Sequence, residues 1–278
     1  MSLNKVMHMG KQALAASQVG LATVSHNISN VNTEGYSRQR VEFSTAEPTS
    51  QAGLRIGGGV RVGAVNRSAS EFVNRRLEEQ KTNFGRLEGM SDVLSQLETV
   101  MKDDGEQGIS HSVTRFFNDI RTLSTQPESQ PLRAAVRESA NSLTSRFQTL
   151  VNGVNQVRDD IDRRIEGAVT DVNAITKRIA DLNQRIMELE ASPNVQANDE
   201  RDSRDVELQK LSKLVDVQVT PIENGGINVS ASGVGVLVNG VEASTFRSVR
   251  CEVDGGAASM RICQVRDNGD LGKDVTDR

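Results

Sequence analysis

The strongest candidate for a metal-binding or catalytic cluster is the acidic run "DERDSRD", residues 199–205. Asp199, Asp202 and Asp205 recur every third residue, so on a helix their carboxylates share one face. Such a face could hold a divalent cation, or it could form ion pairs. Because Arg201 and Arg204 alternate with the acids, we interpret the run as a solvated ion-pair surface rather than a metal site.

The histidines and cysteines do not form a recognisable reactive site. His8, His26 and His111 are scattered, and none belongs to an HExxH motif or lies near a candidate nucleophile. Cys251 and Cys263 have no metal-ligand spacing, which leaves two unpaired thiols on strands or a disulfide between neighbouring strands. No phosphate-binding glycine motif occurs, and no nucleophile, base and orienting acid occur together. We therefore expect no catalytic residue, no metal, no cofactor and no small-molecule substrate.

Composition narrows the possible architectures and partners. Of the 278 residues, 36% are hydrophobic but only 3% aromatic, which suits helices packed by small aliphatic side chains or an elongated rod. The net charge of −4 provides no basic field for nucleic acid or anionic lipid. The apolar runs are too short for a membrane span. The beginning, "MSLNKVMHMGKQ", lacks the apolar core of a secretory signal, so we expect any export to proceed without a cleaved signal peptide.

The first element is predicted to be a helix with one continuous apolar stripe. Positions 3, 7, 10, 14, 17, 21, 24 and 28 alternate steps of four and three, and six of the eight are apolar. We call these six residues the α1 seam: Leu3, Met7, Leu14, Leu21, Val24 and Ile28. A heptad stripe of this kind is typical of a helix that pairs with another helix.

The helix is followed by an unusual run of short amides, "NISNVNTEGYSRQR", residues 27–40. Asn and Gly tolerate left-handed backbone angles, and Asn side chains cap helix carbonyls and form turns. We therefore predict a helix stop and chain reversal. Alternating residues then predict a strand over 36–43 and a second extended segment over 53–67, with a bend at 57–59.

Helical patterns continue to about residue 214. A second helix opens at Ser70, and its apolar stripe contains Val73, Leu77, Phe84, Leu87, Leu94 and Met101. Ser110 is predicted to cap a shorter helix whose inward residues are Val113, Phe116, Phe117, Ile120 and Leu123. An apolar heptad pattern from 136 to 189, with one stutter, predicts a helix over 132–190, about 88 Å long. A last helix is expected within 192–214.

After Val215 the period changes to two, and glycine-rich turns separate short apolar runs. The predicted fold class is mainly α with a β part: an elongated rod of long antiparallel coiled-coil-like helices followed by a small antiparallel β domain. The predicted boundaries are a heptad helix over 1–35, an extended or β-hairpin linker over 36–69, a helical rod over 70–214 and an incomplete β domain over 215–278.

The segment "HNISNVNTEGYSRQR" resembles the N-terminal signature of the bacterial flagellar rod, hook and hook-associated proteins. Its ending, Tyr-Ser-Arg-Gln, is most similar to the members that join the hook to the filament. Residues 116–136 and 199–220 resemble two further helical segments of those members. The resemblance covers most of the chain and is most specific over 14–40 and 199–220.

The resemblance implies a non-enzymatic building block of the bacterial flagellum. Such a protein leaves the cell unfolded through the flagellar export machinery with an export chaperone. It forms a homo-oligomeric junction ring between the hook protein and the next hook-associated protein. Segment 1–35 is then expected to be disordered in the monomer and to pair with a C-terminal helix in the assembled tube. The expected location is extracellular, in the flagellum, without a cleaved signal peptide.

The resemblance also suggests which residues assemble. The list comprises the seam residues Leu14, Leu21, Val24 and Ile28, the turn residues Asn27, Asn30, Asn32 and Gly35, and Tyr36 and Arg38. Tyr36 and Arg38 would pack on neighbouring subunits, although packing within the chain alone remains possible. The family ends in a second heptad helix that this sequence lacks, so we expect a fragment or a truncated product. A rod or hook subunit and a generic coiled-coil adaptor remain as alternatives.

Overall fold

The computed structural model describes residues 3–51, 54–102, 105, 108–192, 195–252, 258–266 and 268–276. The predicted segments also include residues outside this range, namely 1–2, 52–53, 103–104, 106–107, 193–194, 253–257, 267 and 277–278. The chain forms two compact units, one of Met1–Gly85 with Ala168–Arg278 and the other of Arg86–Gly167. The predicted rod segment 70–214 therefore contributes to both units, and the four predicted domain boundaries remain a prediction.

Five α-helices dominate the described residues. They are α1 (Leu3–Ser29), α2 (Glu71–Met101), α3 (Ile109–Thr125), α4 (Gln130–Glu190) and α5 (Asn198–Ser212). The long helix predicted over 132–190 is confirmed as α4. Its heptad pattern identifies it because the repeat persists through many turns, whereas a short helix offers few repeats.

The strands of the described residues form four small antiparallel sheets. They are β1 (Gln39–Thr45), β2 (Thr49–Gln51), β3 (Leu54–Ile56), β4 (Val60–Arg67), β5 (Val217–Pro221), β6 (Ile227–Ala231), β7 (Gly235–Asn239), β8 (Glu242–Ala243), β9 (Thr245–Glu252), β10 (Ala258–Val265) and β11 (Leu271–Asp274). β1 pairs with β4, and β2 with β3. The last seven strands form two sheets. One has the strand order β5-β6-β7-β8 and the other β11-β10-β9. The predicted class, mainly helical with small antiparallel sheets after the long helix, is confirmed.

The unit Arg86–Gly167 combines parts of α2 and α4 with all of α3. Gly153 of α4 lies against Val100 of α2, and a Cβ atom at Gly153 would be only 2.7 Å from Val100 Cγ1. An ion pair of 2.9 Å joins Arg164 to Asp92 across the same two helices. Gly153 therefore weakens the helix locally but allows α2 to approach closely.

Two expectations for α3 are wrong. Its N-cap is Gly108, which forms no side-chain capping bond, and Ser110 lies inside the helix. The helix starts at Ile109, one residue before the predicted cap. Of the five residues expected to point inward, Phe117 and Ile120 are exposed, whereas Val113, Phe116 and Leu123 are half-buried.

The second half of α4 forms the core of the other unit. Ile179 and Ile186 are fully buried together with Leu211 of α5 and Val229 of β6. Two asparagines of α4 attach the sheets. Asn173 exchanges hydrogen bonds with the backbone N–H and C=O of Phe246 at 2.8 and 2.7 Å. Asn183 donates to the carbonyls of Ile227 and Gly240 at 2.8 and 2.6 Å. These amides satisfy sheet backbone groups that would otherwise be buried without partners.

α1 packs one face against the β1–β4 hairpin. Ala16 and Thr23 are buried, and Gly20 lies so close to β1 that its Cβ would be 3.6 Å from the ring of Phe43. The expected disorder of this segment is therefore not what the structure shows, because small side chains let the hairpin serve as a partner. The opposite face, which carries the α1 seam, is exposed: each of its six residues is between 56% and 77% exposed.

Candidate assembly site

A tight turn ends α1 and reverses the chain. The side-chain amide of Asn30 donates to the His26 carbonyl at 3.1 Å, and the Thr33 hydroxyl donates to Asn30 Oδ1 at 3.1 Å. Gly35 has a φ of +78°, the left-handed region that was expected of it. A Cβ atom at Gly35 would also overlap the Val206 side chain of α5. The turn therefore depends on glycine for both its conformation and its approach to α5.

Asn27 joins the end of α1 to the start of β1. Its Oδ1 accepts the Tyr36 hydroxyl at 2.7 Å and the Gln39 backbone N–H at 2.9 Å, and its amide donates to the Gln39 carbonyl at 2.9 Å. The Tyr36 ring lies 5.5 Å from the His26 ring, centroid to centroid. Burial, and then the charges of Asp199 and Asp202, raise the pKa of the Tyr36 hydroxyl, so it remains a proton donor to Asn27.

Carboxylates of α5 hold the reversed segment from the other side. Asp202 accepts the Ser37 backbone N–H at 2.8 Å and forms an ion pair with Arg67 of β4 at 3.0 Å. Asp205 pairs with Arg67 at 2.6 Å, and Asp199 accepts the Gln39 amide at 2.8 Å. The turn, β1 and β4 are thereby attached to one face of a single helix.

The prediction that this face is a solvated ion-pair surface is wrong for its central residues. Asp202 is 5% exposed and Arg204 is 3% exposed. Arg204 donates to Asn183 Oδ1 and to the Gly225 carbonyl, both at 2.8 Å, and its burial lowers its pKa to about 10. Sequence alone gave the spacing of the charges but not their partners, which come from distant segments.

Two glutamates near this network have shifted pKa values. Burial alone would raise the pKa of Glu190, but two hydrogen bonds from Arg201, at 2.7 and 2.6 Å, hold it below its ordinary value. Burial raises the pKa of Glu78 on α2 to about 7, and the charge of Asp205 adds to this effect.

Among the described residues, no group of three or more His, Cys, Asp or Glu side chains is arranged to hold a metal ion.

The residues expected to assemble fall into two groups. Leu14, Leu21, Val24 and Ile28 are exposed on α1, and Asn32, Gly35 and Arg38 are exposed in the turn and after it. Asn27, Asn30 and Tyr36 are half-buried and form the contacts within the chain described above. The sequence analysis did not identify Gln39, Arg67 and Val206 as part of this site. The only sequence signal for them was the regular spacing of the charged residues in α5. The assembly role of the predicted residues remains a prediction.

Cys251 and Cys263 are both free thiols. Cys251 on β9 is opposite Ser259 on β10, and Cys263 on β10 is opposite Arg247 on β9. The two thiols are therefore four positions apart along the ladder, too far for a disulfide. The alternative of unpaired thiols is the one that the structure supports.

None of the helices described has the length and apolar character needed to cross a membrane.

Comparison with known families gives two matches. Residues 94–276 match the family described as "Flagellar hook-associated protein FlgK helical domain". Residues 7–36 match the family described as "Flagella basal body rod protein". The first match covers well over half of the chain, and the second covers most of α1 and its turn.

Curated relatives carry the same description. The chain is 28% identical over 253 residues to flagellar hook-associated protein 1 of Salmonella typhimurium, covering 91% of this chain and 46% of the relative. It is 25% identical over 256 residues to the Bacillus subtilis protein of that name, covering 90% and 50%. Its sequence identity to the Escherichia coli protein of that name is 26% over 288 residues, which cover 99% of this chain and 52% of that protein. The chain thus spans about half the length of the curated relatives it matches.

A solved structure supports the fold. The flagellar hook junction protein FlgK from Burkholderia pseudomallei superposes with a TM-score of 0.64 at 23% identity, covering 73% of this chain and 35% of that one. At this identity the similarity shows the fold alone. The family match over residues 94–276 covers more than half of the chain and therefore assigns its family. The chain belongs to the family of the flagellar hook-associated protein FlgK helical domain.

Proposed function

We propose that the chain is a non-catalytic structural subunit of the bacterial flagellum that forms the junction between hook and filament by self-assembly. Family membership supports the flagellar assignment. The observation that carries the assembly role is the exposed α1 seam, six apolar residues in heptad spacing on the face of α1 away from the hairpin.

The exposed seam has an energetic consequence. Burial of one large aliphatic side chain contributes about 1.5–3 kcal/mol, so six of them could stabilise a helix–helix interface substantially. Large exposed apolar surfaces on proteins usually mark interaction sites. A heptad pattern requires a helix as its partner, and within the described residues nothing covers this face. Assembly with neighbouring subunits would supply that partner.

The turn after α1 would direct the seam toward its partners. Asn27, Gly35 and the Ser37 contact to Asp202 fix the angle at which the helix leaves the hairpin. The amide-rich segment would therefore orient the helix within the tube, while Tyr36 and Arg38 lie at the edge of that surface.

The proposed partners are further copies of the same chain in a junction ring, the hook protein and the next hook-associated protein. Export would proceed unfolded through the flagellar export machinery, with an export chaperone and without a cleaved signal peptide, to an extracellular position. The two free thiols are compatible with this route, because an unfolded chain passes a narrow channel most easily without disulfides.

A rod or hook subunit is the nearest alternative, and the match of residues 7–36 to a basal body rod family is the observation in its favour. However, the sequence resemblance implies that rod, hook and hook-associated proteins all share this segment, so the match does not distinguish them. The match over 94–276 is to the hook-associated helical domain and favours the junction. A generic coiled-coil adaptor would explain the seams but not the turn contacts around Asn27 and Gly35.

Deletion of the gene in the source bacterium tests the proposal. We expect non-swimming cells that retain hooks, lack attached filaments and release filament subunits into the medium, as seen by electron microscopy and immunoblotting. A plasmid copy of the full-length gene should restore swimming. Cells that swim normally with intact filaments would refute the junction function. Cells lacking hooks as well would favour the rod or hook alternative.

A further inference from the structure

The helices α2 and α4 each contain two glycines, and the four glycines differ in their surroundings. A Cβ atom at Gly85 would overlap the Lys213 carbonyl oxygen, and one at Gly153 would lie 2.7 Å from a valine side chain of α2. Close approach of another segment explains glycine at both positions. At Gly89 and Gly167, by contrast, an added Cβ atom would meet nothing within 4 Å among the described residues. Packing within the chain therefore does not explain glycine at these two positions.

The two open glycines weaken their helices. Glycine destabilises a helix interior because it loses more backbone freedom on folding than any other residue. Alanine at Gly89 or Gly167 would remove this penalty without a clash. Neither glycine occupies an apolar heptad position of its helix, so a helix docked on those stripes does not require glycine there. The feature that both positions share is local softness of the backbone.

Both open glycines lie where the chain passes between its two compact units. The chain leaves the first unit in α2 after Gly85 and returns to it in α4 after Gly167. Gly89 is thus four residues beyond the first crossing, and Gly167 is the last residue before the second. Both crossings occur inside continuous helices, so no loop is present there to absorb a change in backbone direction.

The apolar pattern of α4 is interrupted close to the second crossing. Its heptad steps of four and three give way to two successive steps of four at Val157, Ile161 and Ile165. Such a stutter locally unwinds a left-handed supercoil. The stutter ends two residues before Gly167, so the regular packing geometry of α4 changes beside its softest position.

We propose that Gly89 and Gly167 form a hinge at which α2 and α4 bend. In hinge motions a few residues absorb the change in backbone angles while the elements on either side stay rigid. The close approach at Gly85 holds the first half of α2 against the end of α5, so the bend in α2 lies beyond it. This inference concerns the isolated chain and does not rest on the proposed junction function.

Double electron–electron resonance between two spin labels tests the hinge. We would place the labels at Ser95 of α2 and at Ser232 between β6 and β7, both of which are exposed. Attachment through non-canonical amino acids leaves the two free thiols unmodified. Gly89→Ala combined with Gly167→Ala should narrow the distribution of distances between the labels relative to the wild-type chain. The same double variant should raise Tm by a few degrees, because alanine favours the helix at both positions.

Two single variants are the matched controls. Gly10→Ala on α1 also has open space for its methyl group but lies away from the hinge, so it should raise Tm without narrowing the distribution. Gly153→Ala should instead lower Tm, because its methyl group would press against α2.

Three outcomes would overturn the inference. The first is a distribution as wide in the double variant as in wild type. The second is equal narrowing by Gly10→Ala, which would indicate general stiffening of the chain. The third is a lower Tm of the double variant, which would show that packing requires glycine at Gly89 or Gly167. Since all of these measurements use the purified chain, failure of the hinge and failure of the junction function are distinguishable.

Discussion

α1 and α5 show opposite relations between polarity and burial. α1 carries a heptad seam of six apolar residues, and all six are exposed. α5, "NDERDSRDVELQKLS", has eight charged residues among fifteen, yet Asp202, Arg204 and Glu207 are buried in it. The apolar helix therefore faces outward and the charged helix lies at the centre of its unit.

The difference shows that available partners, rather than polarity alone, decide burial. Each buried charge of α5 meets a group from another element: Arg67 of β4, Asn183 of α4 or Arg178 of α4. Buried charges are tolerated when they are paired and hydrogen-bonded. The α1 seam has no such partner among the described residues, so its apolar residues remain exposed. We infer that α5 stabilises the folded chain, whereas α1 serves contacts between chains.

Breaking the α5 network should have the largest effect on stability. In Asp202→Ala, Arg67 loses one of its carboxylates and the Ser37 N–H loses its acceptor. We expect the free energy of unfolding to fall by about 3 kcal/mol, because buried ionic partners are left uncompensated. Urea denaturation monitored by circular dichroism would measure it. Asp171→Ala, an exposed acid of α4, is the matched control and should change little. An equal loss in both variants would contradict the central role of α5.

The turn that connects the two regions should be the next most sensitive position. Gly35→Val forces a β-branched residue to a φ of +78° and against Val206, so we expect a loss of about 2 kcal/mol. Gly10→Ala on α1 has open space for its methyl group and should raise stability by up to about 1 kcal/mol. The two melting temperatures should therefore move in opposite directions. A Gly35→Val chain as stable as wild type would show that the turn does not need glycine.

The parts of the fold that follow from local patterns were predictable. The α4 boundaries lie within two residues of the prediction because a heptad repeat persists over most of Gln130–Glu190. The positive φ at Gly35 followed from the turn chemistry of short amides and glycine. Both features depend on residues close to each other in the chain.

The burial of α5 could not be predicted in the same way. Ser37 and Asp202 are 165 residues apart, and Arg67 and Asp202 are 135 apart. No local pattern distinguishes an acid paired across such a distance from a solvated one. The apolar stripe of α2 illustrates the same limit, because its six residues from Val73 to Met101 share one face in the sequence and all six are exposed. Periodicity identifies the face of a helix but not what covers it.

On the α2 side of the network, Glu78 should make the stability of the chain depend on pH. The folded chain holds the Glu78 proton up to about pH 7, whereas an ordinary Glu loses it near 4.5. The free energy of unfolding should therefore fall as pH rises through this window. Glu78→Gln should stabilise the chain by about 1 kcal/mol at pH 8 and hardly at pH 4, the value being modest because solvent screens a partly buried carboxyl. Glu138→Gln, at an exposed site on α4, is the control and should change the free energy of unfolding little at either pH. Thermal unfolding at both pH values would measure it.

The smallest effect on stability should come from the α1 seam, where the effect on assembly should be greatest. Leu21 is 77% exposed, so Leu21→Asp should change the free energy of unfolding by no more than about 0.5 kcal/mol. In cells the same variant should fail to restore filament attachment to a deletion strain, because a carboxylate would be buried in the helix–helix interface. Leu14→Asp should behave alike, whereas Ser25→Asp, another exposed α1 position outside the seam, should restore swimming. If Leu21→Asp instead unfolded the isolated chain, α1 would have to belong to the folded core. Its contrast with α5 would then disappear.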